Sequence, residues 1–273
     1  MANGANRTFL KEKQAFLKKN IINIAVTTTK LEEIATGNVD PTRAVLAQRG
    51  RVANRDAGVG QAAGVYEFDM VKSTARAKVA TSTIGIKHFS SVPVYDLQEW
   101  GKKTRDQIVT TTGTSFNVAY RKPNKAHPIL AYWVPWSGNA CWSVQLGNDA
   151  DFFFTPTMDG CSLAITGGVS PVVTHGNYKN AHGAGPRASQ TRTLRKIDEH
   201  HLASGFGAVQ KTLGKNQYAA THAEKTQGIN HLVTVVGIRN TATNLWTFYW
   251  QKRMSDANNL NAPMILEGRN VIM

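Results

Sequence analysis

Two cysteines in 273 residues cannot form a disulfide framework, so the chain is not a small bridged scaffold. No apolar run reaches the roughly 20 residues of a membrane-spanning helix. The N-terminus lacks the basic, apolar and small-residue order of a cleavable secretory signal, so any export is expected to follow a route without one. Acidic residues are few, 18 against 32 basic, for a net charge of +14. No RNA-recognition or zinc-finger signature accompanies that charge, and there is no internal repeat or low-complexity tail. The basic residues are dispersed: Lys11, Lys13, Lys18 and Lys19 near the N-terminus, Lys102, Lys103 and Arg105 further on, then Arg187, Arg192, Arg195 and Lys196. Such a surface steers a chain toward an acidic protein partner or keeps it soluble. Specific nucleic-acid binding is not expected.

What is present is enough apolar residue, 41%, to bury a substantial core. Phe9, Leu10, Phe16, Leu17, Ile21 and Ile24 recur at near-helical spacing between lysines, which predicts a basic amphipathic helix. Such a helix packs on the rest of the chain, lies on a membrane, or docks a secretion chaperone. Asp40 and Pro41 read as the start of a further helix and Gly50 as its stop. The run from 56 to 64, DAGVGQAAG, is the best linker, separating a basic helical region (1–60) from the main domain (61–273). Beyond it YEFDMV and AKVATSTIG read as strands, and Asp96 as the cap of a helix through LQEWGKKTRDQIV. Strands are then expected at TSFNVAY, ILAYWVPW, ACWSVQLG, DFFFT, CSLAIT and PVVTH. Runs of short strands with helices elsewhere indicate an α+β fold, a sandwich of two mostly antiparallel β-sheets flanked by helices.

The stretch with the most chemistry is DFFFTPTMDGCSLAITGGVSPVVTH. CSLAIT and PVVTH are β-prone, with Gly167 and Gly168 between them to make a reversal. A reversal centred on Gly168 would set Cys161 directly opposite His175, on one face and within reach of each other. A slip of one residue would put them on opposite faces. A free thiol has a pKa of about 8.5 and needs a base to become a nucleophile. The imidazole in turn needs a third group to hold its tautomer, and Thr155, ending the apolar run before Pro156, is the candidate. The peptide N–H of Cys161 is a candidate oxyanion donor.

The segment from Ile129 to Asn177 resembles the catalytic core of the protein-glutamine deamidase toxins. These include the catalytic domain of cytotoxic necrotizing factor and the single-domain lethal factor that deamidates a translation-initiation helicase. The resemblance rests on the WVPW strand, the FFT run, the GC dipeptide after that threonine, the Gly-rich turn and a histidine following a valine-rich strand. A chemoreceptor deamidase has a similar order of threonine, cysteine and histidine. The resemblance implies a nucleophile at Cys161, its histidine at His175 and an orienting hydroxyl at Thr155, with no cofactor. Met158 and Asp159 depart from the leucine and serine of the helicase-directed toxin, and in the necrotizing factors a backbone carbonyl orients the histidine. HLVTVVGIRNTATNLWTFYWQKR gives a weaker echo. By the same resemblance the chain would be a monomeric toxin or injected effector, acting on a protein substrate in the host cytosol.

Two other readings stand beside it. GNACWS around Cys141 and INHLVTVVGI around His231 resemble the cysteine and histidine segments of papain-like proteases. SVQLGNDAD, however, suits a strand and turn better than the helix those enzymes place after the cysteine. A non-enzymatic basic binding module is the third. His175, His182, His200 and His201 with Asp198 and Glu199 lack metal-ligand spacing, so no metal is expected and the later histidines read as solvated residues of a loop. Residues 176 to 192 read as a loop bordering the active site.

Overall fold

Short runs of aromatic and β-branched residues build two sheets, in a computed structural model that describes residues 4–24, 63–72, 77–82, 109–120, 129–136, 138–178, 186–256, 258 and 264–271. Two helices lead in, α1 (Gly4–Lys11) and α2 (Lys13–Lys19). The strands are β1 (Asn20–Ile24), β2 (Gly64–Lys72), β3 (Ala77–Ser82), β4 (Val109–Tyr120), β5 (Ile129–Trp133), β6 (Ala140–Gln145) and β7 (Phe152–Phe154). They continue with β8 (Ser162–Thr166), β9 (Val172–Asn177), β10 (Val209–Leu213), β11 (Ile229–Arg239), β12 (Trp246–Asp256) and β13 (Met264–Val271). Between β9 and β11 lie α3 (Pro186–Ser204) and the short α4 (His222–Thr226).

Among the described residues the larger sheet has nine strands in the order β1-β4-β2-β5-β7-β11-β12-β13-β3, and β3 also pairs with β4, joining one end of the sheet back toward the other. Three of its pairings are parallel, β1 with β4, β5 with β7 and β13 with β3. The remainder are antiparallel. The smaller sheet is wholly antiparallel, in the order β10-β8-β9-β6. The architecture is therefore the expected α+β arrangement of two mostly antiparallel sheets with helices against them.

The triple phenylalanine of β7 shows how sequence alternation becomes layering. Phe153 faces the small sheet and packs with Val233, Val235 and Phe248 of the large sheet and with Trp142, Leu163 and Val173 of the small one. Phe152 and Phe154 point the other way, into a second cluster with Phe9, Phe16 and Leu17 of the N-terminal helices. A strand buried on both faces has no solvent side to alternate with, hence its continuous apolar run. The apolar stripe of the N-terminal helices is covered by the chain itself, with Phe9 and Leu17 fully buried.

Helix does not continue through Ile21 and Ile24 as the spacing suggested. Both lie in β1, paired in parallel with β4. The cause is tertiary: buried Gln251 of β12 accepts a hydrogen bond from Ile22 N–H at 2.9 Å and donates to the carbonyls of Leu17 and Asn20 at 2.8 Å. Those bonds satisfy a carbonyl of the last helical turn together with a carbonyl and an amide at the start of β1, holding the turn of the chain at Asn20. The helices expected at 40–50 and 96–109 and most of the linker lie outside the described residues, apart from Val109, which begins β4.

A second correction concerns the loop expected at 176–192 and the solvated histidines expected after it: Gly176 and Asn177 end β9, and helix begins before residue 192. Pro186 opens the 19-residue helix α3, which covers the outer face of the small sheet. Ile197 packs there on Cys141 and Ala164. His200 and His201 are not solvated loop residues: their Nε2 atoms lie 2.9 Å from Ser143 Oγ and 2.6 Å from Thr174 Oγ1. Low apolar content hid the helix, because its inner face meets the sheet through hydroxyls and imidazoles. His182 lies outside the described residues.

Gly237 of β11 is hemmed in by the strands on either side of it, β7 and β12. A Cβ there would stand 2.8 Å from Phe153 Cβ and 3.0 Å from Phe248 Cε1. Overpacking of this kind costs about 1–3 kcal/mol. Gly237→Ala is expected to lower stability by that amount in urea unfolding, with the midpoint displaced and the slope unchanged.

Candidate active site

Thr155 follows the last residue of β7, and beyond it the chain crosses the seam between the sheets. Thr157 N–H donates to Ile24 O at 3.0 Å, and Met158 bridges to Val233 with backbone bonds of 2.7 and 2.9 Å. The crossing ends at Gly160 and Cys161, after which β8 begins in the small sheet. Cys161 therefore sits where the chain passes from one sheet to the other, and it is only 3% exposed.

The observed register differs from the expected one. Leu163, not Cys161, opposes His175, while Ser162 opposes Gly176. The reversal extends through Ser170 and Pro171, and Val172 N–H donates to Thr166 Oγ1 at 2.8 Å, which closes the turn further along the chain than a Gly168 centre would. Gly168 itself adopts φ +89°, a conformation that favours glycine. The slip is two residues, and side chains repeat every two along a strand. Cys161 thus keeps the face of Leu163 and His175, toward the large sheet, diagonal to the imidazole rather than directly across from it.

His175 reaches across the seam. Its Nδ1 lies 2.6 Å from Thr155 Oγ1, and that hydroxyl donates to Val134 O at 3.0 Å. A carbonyl can only accept, so the threonine proton is committed to Val134 and the Oγ1 lone pair receives Nδ1–H. The tautomer follows: Nδ1 carries the proton and Nε2 is bare. Nε2 is buried and has no hydrogen-bond partner. With no solvent around the ring, burial lowers the His175 pKa to about 3 and keeps the imidazole neutral.

The thiol is also neutral at rest. Burial, then the nearby Asp159 carboxylate, raise the Cys161 pKa to about 12, against smaller opposing effects from the Trp136 indole N–H bonded to the sulfur and from Lys215. The Lys215 ammonium lies 3.2 Å from where a Gly160 Cβ would be, so the lysine end lies close over the backbone that precedes Cys161. Tyr218 donates its hydroxyl to Cys161 O at 2.8 Å and holds the backbone at that residue. Its own carbonyl is 3.2 Å from His231 Nδ1.

The structure thus brings Thr155 and His175 into contact and sets Cys161 on the face of His175, with no hydrogen bond between sulfur and Nε2 at rest. It does not assemble the rival pair. Cys141 pairs with Gly176 on the opposite face of the small sheet, beneath Ile197 of α3, with its pKa raised to about 12 chiefly by burial. His231 belongs to the large sheet, where Nε2 lies 3.3 Å from Glu224 Oε1. The small sheet itself stands between Cys141 and that strand. Val134, Trp136, Lys215 and Tyr218 escaped the sequence reading. WVPW carried a partial signal, since Pro135 ends strand pairing and leaves a tryptophan beyond it.

Comparison with protein-family models and with curated proteins finds no match for this chain.

Buried neutral histidines make stability depend on pH. The His175 pKa is lowered to about 3 by burial, and that of His231 is lowered too, by burial first and then by Lys252, against the opposing pull of Glu224. Each returns to about 6.5 when the chain unfolds. Below that pH the unfolded chain takes up protons that the folded chain refuses, so stability is complete above about 6.5 and falls as pH drops toward 3. Melting temperatures measured from pH 8 to 4 are expected to hold down to about pH 7 and then decline steeply. The decline should be shallower in a His175→Gln variant.

Proposed function

We propose that the chain is a cysteine-dependent protein-glutamine deamidase, acting as a bacterial toxin or injected effector on a protein of a host cell. The observation that carries this reading is the Val134–Thr155–His175 chain of hydrogen bonds, which leaves a bare, buried Nε2 on the sheet face that also carries Cys161. A general base must be neutral, unpartnered and held in one tautomer, and His175 meets all three conditions. The order and roles of the three residues agree with the resemblance to the deamidase toxins.

In the reaction, the Cys161 sulfur attacks the side-chain carbonyl carbon of a glutamine while its proton passes to His175 Nε2. A tetrahedral oxyanion forms, with the Cys161 peptide N–H a candidate donor to it. The C–N bond then breaks, ammonia leaves with the proton from Nε2, and a thioester remains. Water attacks the thioester, gives a proton to Nε2, and the sulfur recovers one as glutamate departs. An amine in place of water would give transglutamination by the same steps. No group outside the chain is needed. Among the described residues no helix is long and apolar enough to cross a membrane, which suits action on a protein substrate without bearing on how the chain reaches it.

Incubating the purified chain with a eukaryotic cell lysate, and reading ammonia release together with glutamine-to-glutamate mass shifts, tests the proposal. Cys161→Ser is expected to reduce both to background, and Cys141→Ser to leave them near wild type. Activity that survives loss of Cys161 would refute it. Thr155→Val frees the imidazole to change tautomer and should slow ammonia release by up to about 10⁴-fold, the loss a triad shows when its orienting group no longer holds the tautomer. An unaltered rate in that variant would remove Thr155 from the mechanism.

A further inference from the structure

The outer face of the small sheet, away from the seam, carries a second polar cluster. Ser143 of β6 and Thr174 of β9 are paired across the sheet, both fully buried, with their hydroxyl oxygens 2.6 Å apart. The C-terminal part of α3 sets an imidazole on each. His200 Nε2 lies 2.9 Å from Ser143 Oγ, and His201 Nε2 lies 2.6 Å from Thr174 Oγ1. The other nitrogen of His201 fixes the protons along the row. Nδ1 faces Gly207 O at 3.4 Å, and a carbonyl only accepts, so Nδ1 carries the proton and Nε2 is bare. Thr174 then donates to His201, Ser143 donates to Thr174, and His200 Nε2–H donates to Ser143. Ser143 thus receives a hydrogen bond from its histidine and gives it no proton, so the two are not a nucleophile and its base.

We propose that α3 is an acid-released cover of the small sheet, latched by His200 and His201, which lifts when both imidazoles take up a proton. The row of bonds accommodates one added proton and not two. His200 can be charged with its bond to Ser143 intact, since its Nε2 already donates. A proton on His201 Nε2 removes the acceptor of Thr174, whose hydroxyl must turn to Ser143. The Ser143 proton is then displaced toward His200 Nε2, which can accept it only if His200 is neutral. With both rings charged, the row holds one hydroxyl proton without an acceptor, and two like charges on rings whose centroids are 6.2 Å apart. Water relieves both, and it enters when the helix end moves out. The charges around the pair do not compensate. On α3 itself, Glu199 is bonded to Lys196 at 2.6 Å and to Arg195 at 3.4 Å. Asp198 favours a charge on His201, but burial outweighs it and lowers both imidazoles from 6.5. Cys141 of β6 and Tyr178 beyond β9, which Arg192 faces, are neutral, each raised to about 12 chiefly by burial. From β8 and β10 come Ala164 and Val209. Lys215 precedes Asn216, which is bonded to Gln190 at the far end of the helix. Past α3, Phe206 lays its ring against both imidazoles, with centroids 5.7 and 5.6 Å away. Free of the sheet, the rings take up protons from about pH 6.5 downward, so docking of the helix is complete above that pH and weakens below it.

Cys141 reports on the cover, since it is 1% exposed and packs beneath α3 with Ile197. The test uses the full chain carrying Cys161→Ser and 4,4′-dithiodipyridine, a disulfide that reacts with thiols in mild acid, with rates from pH 7.5 to 5 taken relative to N-acetylcysteine. The relative rate is expected to hold down to about pH 6.5 and then to rise at least about tenfold per pH unit, the linkage of one proton taken up on opening. The Cys141→Ser chain, whose thiol is Cys161, measures opening of the seam, and its rise at pH 5.5 is expected to be about a tenth of that or less. Ring signals of His200 and His201, assigned by nuclear magnetic resonance with His200→Gln and His201→Gln, are expected to titrate over the pH range in which Cys141 becomes reactive. Four results each overturn the proposal: both rings charged while Cys141 stays covered, a rise with either ring still neutral, no rise by pH 5, or an equal rise for Cys141 and Cys161, which would mean that the whole molecule opens.

Discussion

The bond from the Val134 carbonyl through the Thr155 hydroxyl to His175 Nδ1 joins the two sheets of this protein with a polar link inside an apolar interior. Each partner comes from the end of a different element: Val134 just beyond β5, Thr155 just beyond β7, His175 within β9. All three are buried. An unsatisfied polar group in such a place is costly, so the sheets are bound to dock in the one relation that completes the chain of donors and acceptors. The parallel pairing of β5 with β7 sets Val134 and Thr155 together, and Val134 N–H donating to Phe154 O at 3.2 Å fixes the same junction from the other side.

The same dryness governs the chemistry. A thiol raised to about 12 and an imidazole lowered to about 3 form a neutral pair at rest, not a thiolate and imidazolium. Neither group carries a charge in the resting chain, so the seam between the sheets stays free of buried ions at this point. Aromatic and apolar neighbours supply the low dielectric, while Lys215 and Asp159 at the rim have opposite effects on the thiol. The small sheet then divides the two cysteines of the chain between environments: Cys161 toward the seam with the imidazole, Cys141 beneath α3 with Ile197.

Much of the layering was legible in the sequence because burial leaves period-two and continuous apolar patterns. CSLAIT, PVVTH, ACWSVQLG and DFFFT are strands, and the alternation of Phe152, Phe153 and Phe154 anticipates two cores. The N-terminal apolar spacing predicted helix correctly as far as Lys19 and failed at Ile21, because Gln251, distant in sequence, terminates the turn. The α3 helix left little apolar signal, since Thr174 and Ser143 receive it through His201 and His200. Thr155, Cys161 and His175 were legible as residue types in a spacing, whereas Trp136 and Lys215 were not, because nothing local distinguishes a tryptophan after a proline or one lysine among many.

By itself the sequence determined the strand-forming segments, the parity that keeps Cys161 and His175 on one face, and the presence of a hydroxyl near the end of β7. Parity survives an even slip in register because side chains alternate with period two, so an imperfect account of the turn still selected the right face. Tertiary structure alone decided the true register of that pair, and which nitrogen of the histidine is bonded to Thr155 and which is bare. Those depend on sheets docking face to face, and the direction of a buried hydrogen bond is set by the partners that meet across that seam.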